Sequence, residues 1–175
     1  MFGRISPNYD RLNSIMSLGR HHKWRQVVAD TSLSEVRDQL VLDVATGTGD
    51  LAIELAGRSE VSSVIGIDFT RQMLDLAMVK TRHMNLNTRI NYLECDAHNL
   101  PFSDDQFTCV TVGFGIRNFV DHRSALGEMV RVVRPGGRIV ILEIVRHQMM
   151  TGIGIFVRLG FRLVTPWLGA IFAGD

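Results

Sequence analysis

Cysteine and proline are scarce in this chain: among its 175 residues there are two cysteines and four prolines. Cys95 and Cys109 stand singly rather than in CxxC pairs. The sequence therefore offers neither a disulfide framework nor the ligand spacing of a zinc site. We expect both cysteines to be reduced, buried thiols of a cytoplasmic protein, and we expect no bound metal.

An excess of charge and long apolar runs are also lacking. Nineteen Lys and Arg stand against eighteen Asp and Glu, for a net charge of +1, so no nucleic-acid partner is expected. The longest apolar stretch, residues 149–172, contains two arginines and a proline, which argues against a membrane-spanning helix. The first residues lack the apolar core of a secretory signal.

What is present indicates one folded domain, since apolar residues make up 46% of the chain and charged residues 21%. Short, continuously apolar runs predict strands that are buried on both faces of a parallel sheet. The predicted strands are residues 41–45, 64–68, 90–93, 110–112 and 138–142, and the predicted helices are 50–58, 72–84 and 123–133. Residues 135–137, Pro-Gly-Gly, are expected to end the last helix. This alternation predicts an α/β fold with a mostly parallel, doubly wound sheet.

Three segments can be distinguished within this single domain. Residues 1–40 are expected to form an N-terminal helical cap, because apolar side chains recur at helical spacing over residues 8–30. Residues 41–145 form the predicted sheet core. Residues 146–175 are an apolar segment that is expected to be helical, and Arg158 and Arg162, four residues apart, leave contact with a membrane surface open.

A turn rich in glycine and threonine follows the first predicted strand. Gly47 and Gly49 allow the backbone to turn tightly and to approach a ligand, and the following helix presents unpaired N–H groups. Thr46 and Thr48 belong to the same turn. The segment also fits the pattern GxGxx(G/A), so a nicotinamide dinucleotide is one alternative ligand.

Acidic residues mark the first three predicted strands. Asp43 lies within an apolar strand, where a carboxylate requires either a ligand or hydrogen-bonding partners. Asp68 comes nineteen positions after Gly49, close to the spacing of a ribose-binding acid, although it can also cap the next helix. Asp96 can receive an adenine amino group. These acids favour S-adenosylmethionine, whose amino group and sulfonium are cationic, over a dinucleotide.

Two apolar side chains near Asp68 are further candidates for the cofactor site. Phe69 and Met73 can pack on a purine ring, and either can equally belong to the core.

Further landmarks make the sequence resemble the class I S-adenosylmethionine-dependent methyltransferases. They are Leu-Pro-Phe at 100–102, Asp-Asp-Gln-Phe at 104–107 and Arg-Pro-Gly-Gly at 134–137. A closer resemblance rests on residues 9–13, 16–19, 24–25 and on Phe-Gly-Ile-Arg-Asn at 114–118. Together these are similar to the ubiquinone/menaquinone biosynthesis C-methyltransferase family, whose members methylate a ring carbon of a polyprenylated quinol precursor. The resemblance covers nearly the whole chain.

The family resemblance implies roles for particular residues on the cofactor side. Contacts with S-adenosylmethionine are implied for Thr48, Asp68, Asp96, Ala97 and Gly113. The resemblance also implies a Rossmann-like class I fold around them.

On the acceptor side, the resemblance implies that residues 114–118 face the quinol ring, with Phe114 among them. Arg117 is expected to stabilise a developing phenolate, with Asn118 as a hydrogen-bond partner. The alternative for Arg117 is a structural salt bridge, for which Asp121 is a candidate partner. Tyr9 and Asn13 are weaker candidates for the substrate site.

The resemblance thus implies C-methylation of demethylmenaquinol or of a ubiquinone precursor, by a cytoplasmic enzyme for which membrane-surface contact and homo-oligomers are open. Methylation of another small molecule or lipid, and cofactor binding without catalysis, are the alternatives. The implied fold has two antiparallel strands after the fifth, which need roughly 50 further residues. We therefore expect either that the chain is part of a longer protein or that a partner covers its sheet edge.

Overall fold

A computed structural model of the chain describes residues 20–33 and 38–144. In chain order these residues form α1 (His21–Ser32), β1 (Gln39–Val44), α2 (Asp50–Ala56), β2 (Val61–Asp68), α3 (Arg71–His83), β3 (Ile90–Glu94), β4 (Phe107–Gly113), a 3-10 turn (Ile116–Asn118), α4 (His122–Val132) and β5 (Val133–Leu142). Each of the five predicted strands and three predicted helices is found, with shifted ends.

The strands of the described sheet all run parallel, in the order β3-β2-β1-β4-β5. The chain moves outward from β1 through β2 to β3, and then returns to the other side of β1 with β4 and β5. The direction of winding therefore reverses between β1 and β4, which opens a crevice outside the carboxyl ends of both strands. The predicted parallel, doubly wound sheet is confirmed.

Burial on both faces explains why the central strands are continuously apolar. Successive side chains of a strand point to opposite faces, and Cys109 accordingly packs in a core with α1 and α2, whereas Val110 packs in a core with α4. Val41 and Leu42 of β1 divide in the same way, and all four residues are 0% exposed. Each fully buried aliphatic side chain contributes about 1.5–3 kcal/mol, so both cores stabilise the strands that carry the crevice.

The N-terminal helix α1 covers β4 and β5 and packs against α2. Its carboxyl end is fixed by Arg138 of β5, whose guanidinium donates to the carbonyl oxygens of Thr31, at 2.9 Å, and Leu33. These bonds satisfy carbonyls that a helix end leaves without partners. The helix predicted over residues 8–30 is confirmed from residue 21 onward and continues to residue 32, whereas residues 1–19 lie outside the described part of the chain.

The junction between α4 and β5 differs from its prediction. The helix begins at an N-cap, Asp121, whose side chain accepts two backbone N–H groups, and it ends at Val132. β5 begins at the next residue, so residues 135–137 lie inside the strand and do not separate it from the helix. Gly136 has a φ of +77°, and the pairing with β4 shifts register here, because this edge strand forms a bulge that accommodates a proline.

Strands β3 and β5 are the edges of the described sheet and are partly exposed along most of their length. The apolar side chains of Ile141 and Ile144 are 41% and 60% exposed at the β5 edge. No helix among residues 20–33 and 38–144 has the length and apolarity that crossing a bilayer requires. The predicted apolar helix within 146–175 lies outside the described residues.

An exposed glycine inside α4 gives a test of the helix. A Cβ at Gly127 would meet no atom within 4 Å. Because glycine loses more backbone freedom in a helix than alanine does, we predict that Gly127→Ala raises the free energy of unfolding by about 0.5–1 kcal/mol in urea denaturation. Gly66→Ala is the matched contrast, since its Cβ would lie 2.8 Å from the Tyr92 ring and should destabilise the chain. Equal effects of the two substitutions would contradict this packing.

Candidate active site

A cleft that is open to solvent lies at the carboxyl ends of β1, β2 and β4, where the strand order reverses. Its lining consists of Ala45, Gly47, Asp68, Phe69, Thr70, Met73, Gly113, Phe114, Gly115, Asn118 and Phe119. Seven of these residues are candidates from the sequence. The cleft therefore brings part of the predicted cofactor side and part of the predicted acceptor side into one cavity.

Asp68 connects the loops that follow β1 and β2. One carboxylate oxygen accepts the Gly47 N–H at 2.9 Å, and the other accepts the Thr70 N–H at 2.9 Å. Burial raises the pKa of Asp68 above its usual value, while the backbone hydrogen bonds oppose that rise. Thr70, rather than Asp68, occupies the N-cap position of α3. The Thr70 hydroxyl and the Phe69 N–H also hydrogen-bond to Asp68 and oppose the rise in its pKa.

The glycine turn takes its shape from left-handed backbone and from a partly buried tyrosine. Gly47 and Gly49 have φ angles of +57° and +80°. A Cβ at Gly47 would meet nothing within 4 Å, whereas a Cβ at Gly49 would collide with the Tyr92 hydroxyl. Tyr92 is held by a 2.8 Å hydrogen bond with Thr81, and burial raises the pKa of Tyr92 to about 12. The turn is thus supported on its Tyr92 side and open at Gly47.

Asp43 is buried beneath this turn, with 1% of its surface exposed. Its two carboxylate oxygens accept the hydroxyls of Thr46, at 2.6 Å, and Thr111, at 2.7 Å. Burial raises the pKa of Asp43 to about 6, and the two threonine hydrogen bonds oppose the rise. Asp43 does not line the cleft, so the hydrogen-bonded alternative is present and a contact of Asp43 with a cofactor stays a prediction.

Thr48 takes part in a polar network behind the turn. Its hydroxyl is 2.9 Å from the Lys80 ammonium, which also pairs with Asp50 at 2.7 Å. Arg25 of α1 pairs with the same Asp50 carboxylate at 2.8 Å. The Asp50 carboxylate therefore links α1, α2 and α3. Neither Thr48 nor Thr46 lines the cleft, and their contacts with a cofactor stay predictions.

Of the four residues predicted near adenine, two line the cleft and two do not. Phe69, 63% exposed, and Met73, 3% exposed, both line the cleft. Asp96 does not: one of its oxygens accepts the His98 backbone N–H at 2.9 Å and lies 2.5 Å from the His98 ring, which lowers the pKa of Asp96. Ala97 packs in the core on the α4 side. An adenine contact for Asp96 and Ala97 stays a prediction.

On the acceptor side, the cleft contains Gly113, Phe114 and Asn118 but not Arg117. The Arg117 guanidinium lies 2.8 Å from the Glu143 carboxylate, just beyond the end of β5. A salt bridge is therefore present, but its partner is Glu143. The proposed pairing with Asp121 was wrong, because the Asp121 carboxylate caps α4.

Four residues of the cleft were not singled out as site residues from the sequence: Ala45, Thr70, Gly115 and Phe119. A Cβ at Gly115 would lie 2.5 Å from the Ala45 Cβ, so the loops after β1 and β4 approach each other too closely for any other residue. The sequence could have indicated Gly115 through its place within the motif at 114–118. It could not have indicated the proximity to Ala45, because that contact joins residues that are distant in the sequence. The substrate candidates Tyr9 and Asn13 lie outside the described residues.

Both cysteines are free thiols. Cys109 is buried as predicted, but Cys95 is only partly buried because it follows the edge strand β3. Burial raises the pKa of each thiol to about 11. Within the described ranges, no group of three or more His, Cys, Asp or Glu side chains is arranged to hold a metal ion.

Comparison with known proteins decides the family. All of residues 1–175 match the model of the ubiE/COQ5 methyltransferase family. The chain belongs to this family. This ubiE/COQ5 chain is 43% identical to the demethylmenaquinone methyltransferase of Thermus thermophilus over 100% of its own length and 78% of the relative's. It is 40% identical to the ubiquinone/menaquinone biosynthesis C-methyltransferase UbiE of Geotalea daltonii, over 99% of its own length and 73% of the relative's.

The solved structures agree on the fold. A SAM-dependent methyltransferase from Aquifex aeolicus matches with a TM-score of 0.62 and 21% identity, over 73% of this chain and 68% of that one. At this identity the likeness shows the fold alone, which is the predicted Rossmann-like class I fold. Membership of the ubiE/COQ5 family confirms the resemblance drawn from the motifs, and with it a methyltransferase that uses S-adenosylmethionine.

The raised pKa of Asp43 makes stability depend on pH. An acid whose pKa rises from 3.8 to about 6 on folding binds its proton more tightly in the folded chain. The free energy of unfolding therefore falls as pH rises from about 4 to about 6. We predict that Asp43→Asn makes this fall shallower in urea titrations across that range. Asp68 acts in the same direction, so the difference between the two curves isolates Asp43, and identical slopes would contradict the assignment.

Proposed function

We propose that this chain transfers a methyl group from S-adenosylmethionine to a ring carbon of a polyprenylated quinol, demethylmenaquinol or a ubiquinone precursor. The family membership supports the reaction class. The observation that carries the proposal is that one cleft brings Gly47 and Asp68 together with Phe114 and Asn118. When bound, S-adenosylmethionine supplies a methyl group on a cationic sulfur, which a carbon nucleophile can accept.

The residues of the cofactor side fit that donor. Asp68 lines the cleft, and its carboxylate is the acceptor that we assign to the two ribose hydroxyls. The open space at Gly47 allows a ligand to approach the turn closely. Phe69 and Met73 provide apolar contact for a purine, and an aromatic ring that is 63% exposed gains from being covered.

On the acceptor side, we assign the stabilising charge to Arg117. A quinol ring carbon becomes a strong nucleophile when a ring hydroxyl loses its proton to solvent water. The ring carbon would form its bond to the methyl group as the methyl–sulfur bond breaks, and it would then lose its hydrogen to water as a proton, which restores the aromatic ring. Arg117 remains cationic, so its role is to stabilise the phenolate rather than to take the proton. It lies in the 3-10 turn that also carries the cleft residue Asn118, which is a hydrogen-bond partner for a ring oxygen.

The proposed substrate carries an apolar polyprenyl tail that partitions into lipid. We therefore propose that this chain is cytoplasmic and contacts the membrane surface peripherally. Val120, 96% exposed and adjacent to the cleft residue Phe119, supports that orientation. The partly exposed edges β3 and β5 are the surfaces on which homo-oligomers would form. Sedimentation with anionic vesicles, and light scattering without them, test the two statements separately.

Asp68→Ala tests the cofactor side. Loss of a charged acceptor for two hydroxyls should weaken S-adenosylhomocysteine binding by roughly 1.5–3 kcal/mol, measured by calorimetry, while the chain stays folded. Asp75→Ala is the matched control, since Asp75 on α3 is exposed and pairs with Arg71. If Asp68→Ala binds as tightly as the control does, Asp68 is not the ribose ligand.

Arg117→Ala tests the acceptor side. Charge stabilisation that develops only in the transition state lowers the barrier without tightening cofactor binding, so we predict a loss of about 100-fold or more in quinol methylation with unchanged S-adenosylhomocysteine affinity. Arg117→Lys should restore little, because lysine lacks the planar fork of donors.

Glu143→Gln separates this role from the salt bridge. It removes the charge of the partner but leaves Arg117 in place, so methylation should fall far less than in Arg117→Ala. Equal losses in the two variants would favour the purely structural reading of the pair.

A further inference from the structure

A tryptophan of α1 reaches the acceptor side of the cleft. The ring centroids of Trp24 and Phe114 lie 6.2 Å apart, with the ring planes inclined by 56°. This is within the range at which tilted aromatic pairs attract each other. Phe114 lines the cleft, whereas Trp24 contacts Phe114 but is not a lining residue.

The Phe114 backbone is held in an unusual conformation that places this ring. Its φ is +58°, in the left-handed region that residues with a side chain rarely adopt. Its N–H donates to the Leu142 carbonyl oxygen at 2.7 Å, which fixes the loop after β4 against the end of β5. The backbone therefore sets the position from which the Phe114 side chain extends, and contact with Trp24 restricts the inclination of its ring.

Trp24 is itself held firmly at this place. The next residue, Arg25, is 9% exposed and pairs with Asp50 at 2.8 Å, and Asp50 also holds Lys80 of α3. An ion pair with this little exposure is screened less by solvent than a surface pair. The helix that carries Trp24 is thus tied to the helix that follows the glycine turn.

We propose that Trp24 is a positioning residue for an aromatic acceptor: it holds the Phe114 ring at the inclination in which that ring packs against the acceptor ring. The proposal rests on the proposed function for the nature of the acceptor. It assigns selectivity for a planar ring to a contact between α1 and the β4 loop, and leaves cofactor binding to the residues after β1 and β2.

The kinetic test compares three variants of the whole chain. Trp24→Leu should raise KM for the quinol by about fivefold, in the range that one aromatic pair supplies, with kcat and S-adenosylhomocysteine affinity unchanged. Trp24→Phe should restore KM because it keeps an aromatic ring. Val27→Ala is the matched control on the same helix, since Val27 is 62% exposed. Unchanged KM in Trp24→Leu would overturn the proposal.

A fluorescence test leaves Trp24 in place, and so does not depend on the folding of a Trp24 variant. Trp24 and Trp167 are the two tryptophans of the sequence, and Trp167→Phe makes Trp24 the sole reporter. A soluble naphthoquinone without a tail should quench its emission saturably, and Phe114→Leu should weaken that binding at least severalfold. Quenching that rises linearly with the naphthoquinone concentration, with the same slope as for N-acetyltryptophanamide in solution, would overturn the proposal.

The two tests also separate this inference from the proposed function. Saturable quenching by the naphthoquinone in a chain that methylates no quinol would support the aromatic site and reject the reaction. Quinol methylation that is insensitive to Trp24→Leu would support the reaction and reject the role of Trp24.

Discussion

The Asp68 carboxylate holds two loops of the sheet at a fixed separation, and the geometry of the cleft depends on that contact. It accepts the N–H of Gly47 from the loop after β1 and the N–H of Thr70 from the start of α3. Both donors are backbone groups, so the contact constrains the chain itself and not only a side chain. Because burial raises the pKa of Asp68 while these N–H groups oppose the rise, the same bonds that fix the loops also favour the charged form of the carboxylate.

Beneath this contact, a second layer of polar bonds ties the strands and helices together. Asp43 joins the glycine turn to β4 through two threonine hydroxyls, and Asp50 joins α1, α2 and α3 through Arg25 and Lys80. The two acids differ in how strongly their surroundings disfavour the charged carboxylate. Asp43 is almost fully buried with neutral partners, so its charge is disfavoured, whereas Asp50 has two cationic partners and keeps some exposure. Both sets of bonds hold the glycine turn and the helices around it in place.

The sequence predicted the sheet, its parallel direction and the glycine turn, because each depends on local pattern: apolar runs, helical spacing and glycines in a short turn. It predicted less well what depends on contacts between distant residues. The partner of Arg117 is Glu143, twenty-six positions away, and the nearby acid Asp121 is already engaged as a helix cap. The bulge that admits Pro135 into β5 likewise arises from pairing with β4, which propensity alone does not indicate. Among the candidate residues, Asp96 and Thr48 bind other protein groups and do not line the cleft, whereas Asp68 does line it. Only the tertiary structure could show this difference.

The energy of the Arg117–Glu143 ion pair bears on why a cation lies beside the cleft. The Arg117 side chain is 51% exposed, and a pair with that much solvent contributes only about 0–1 kcal/mol to stability. Such a small gain is a weak reason for holding an arginine beside the cleft. Glu143 contacts one terminal nitrogen of the guanidinium, while an arginine has five N–H donors in a planar fork. Glu143 therefore orients the cation, and the remaining N–H groups of the fork are the ones to which we assign the developing negative charge of a ring oxygen. The exposure that weakens the salt bridge also leaves the cation accessible to solvent, and this accessibility is what the role that we propose for Arg117 requires.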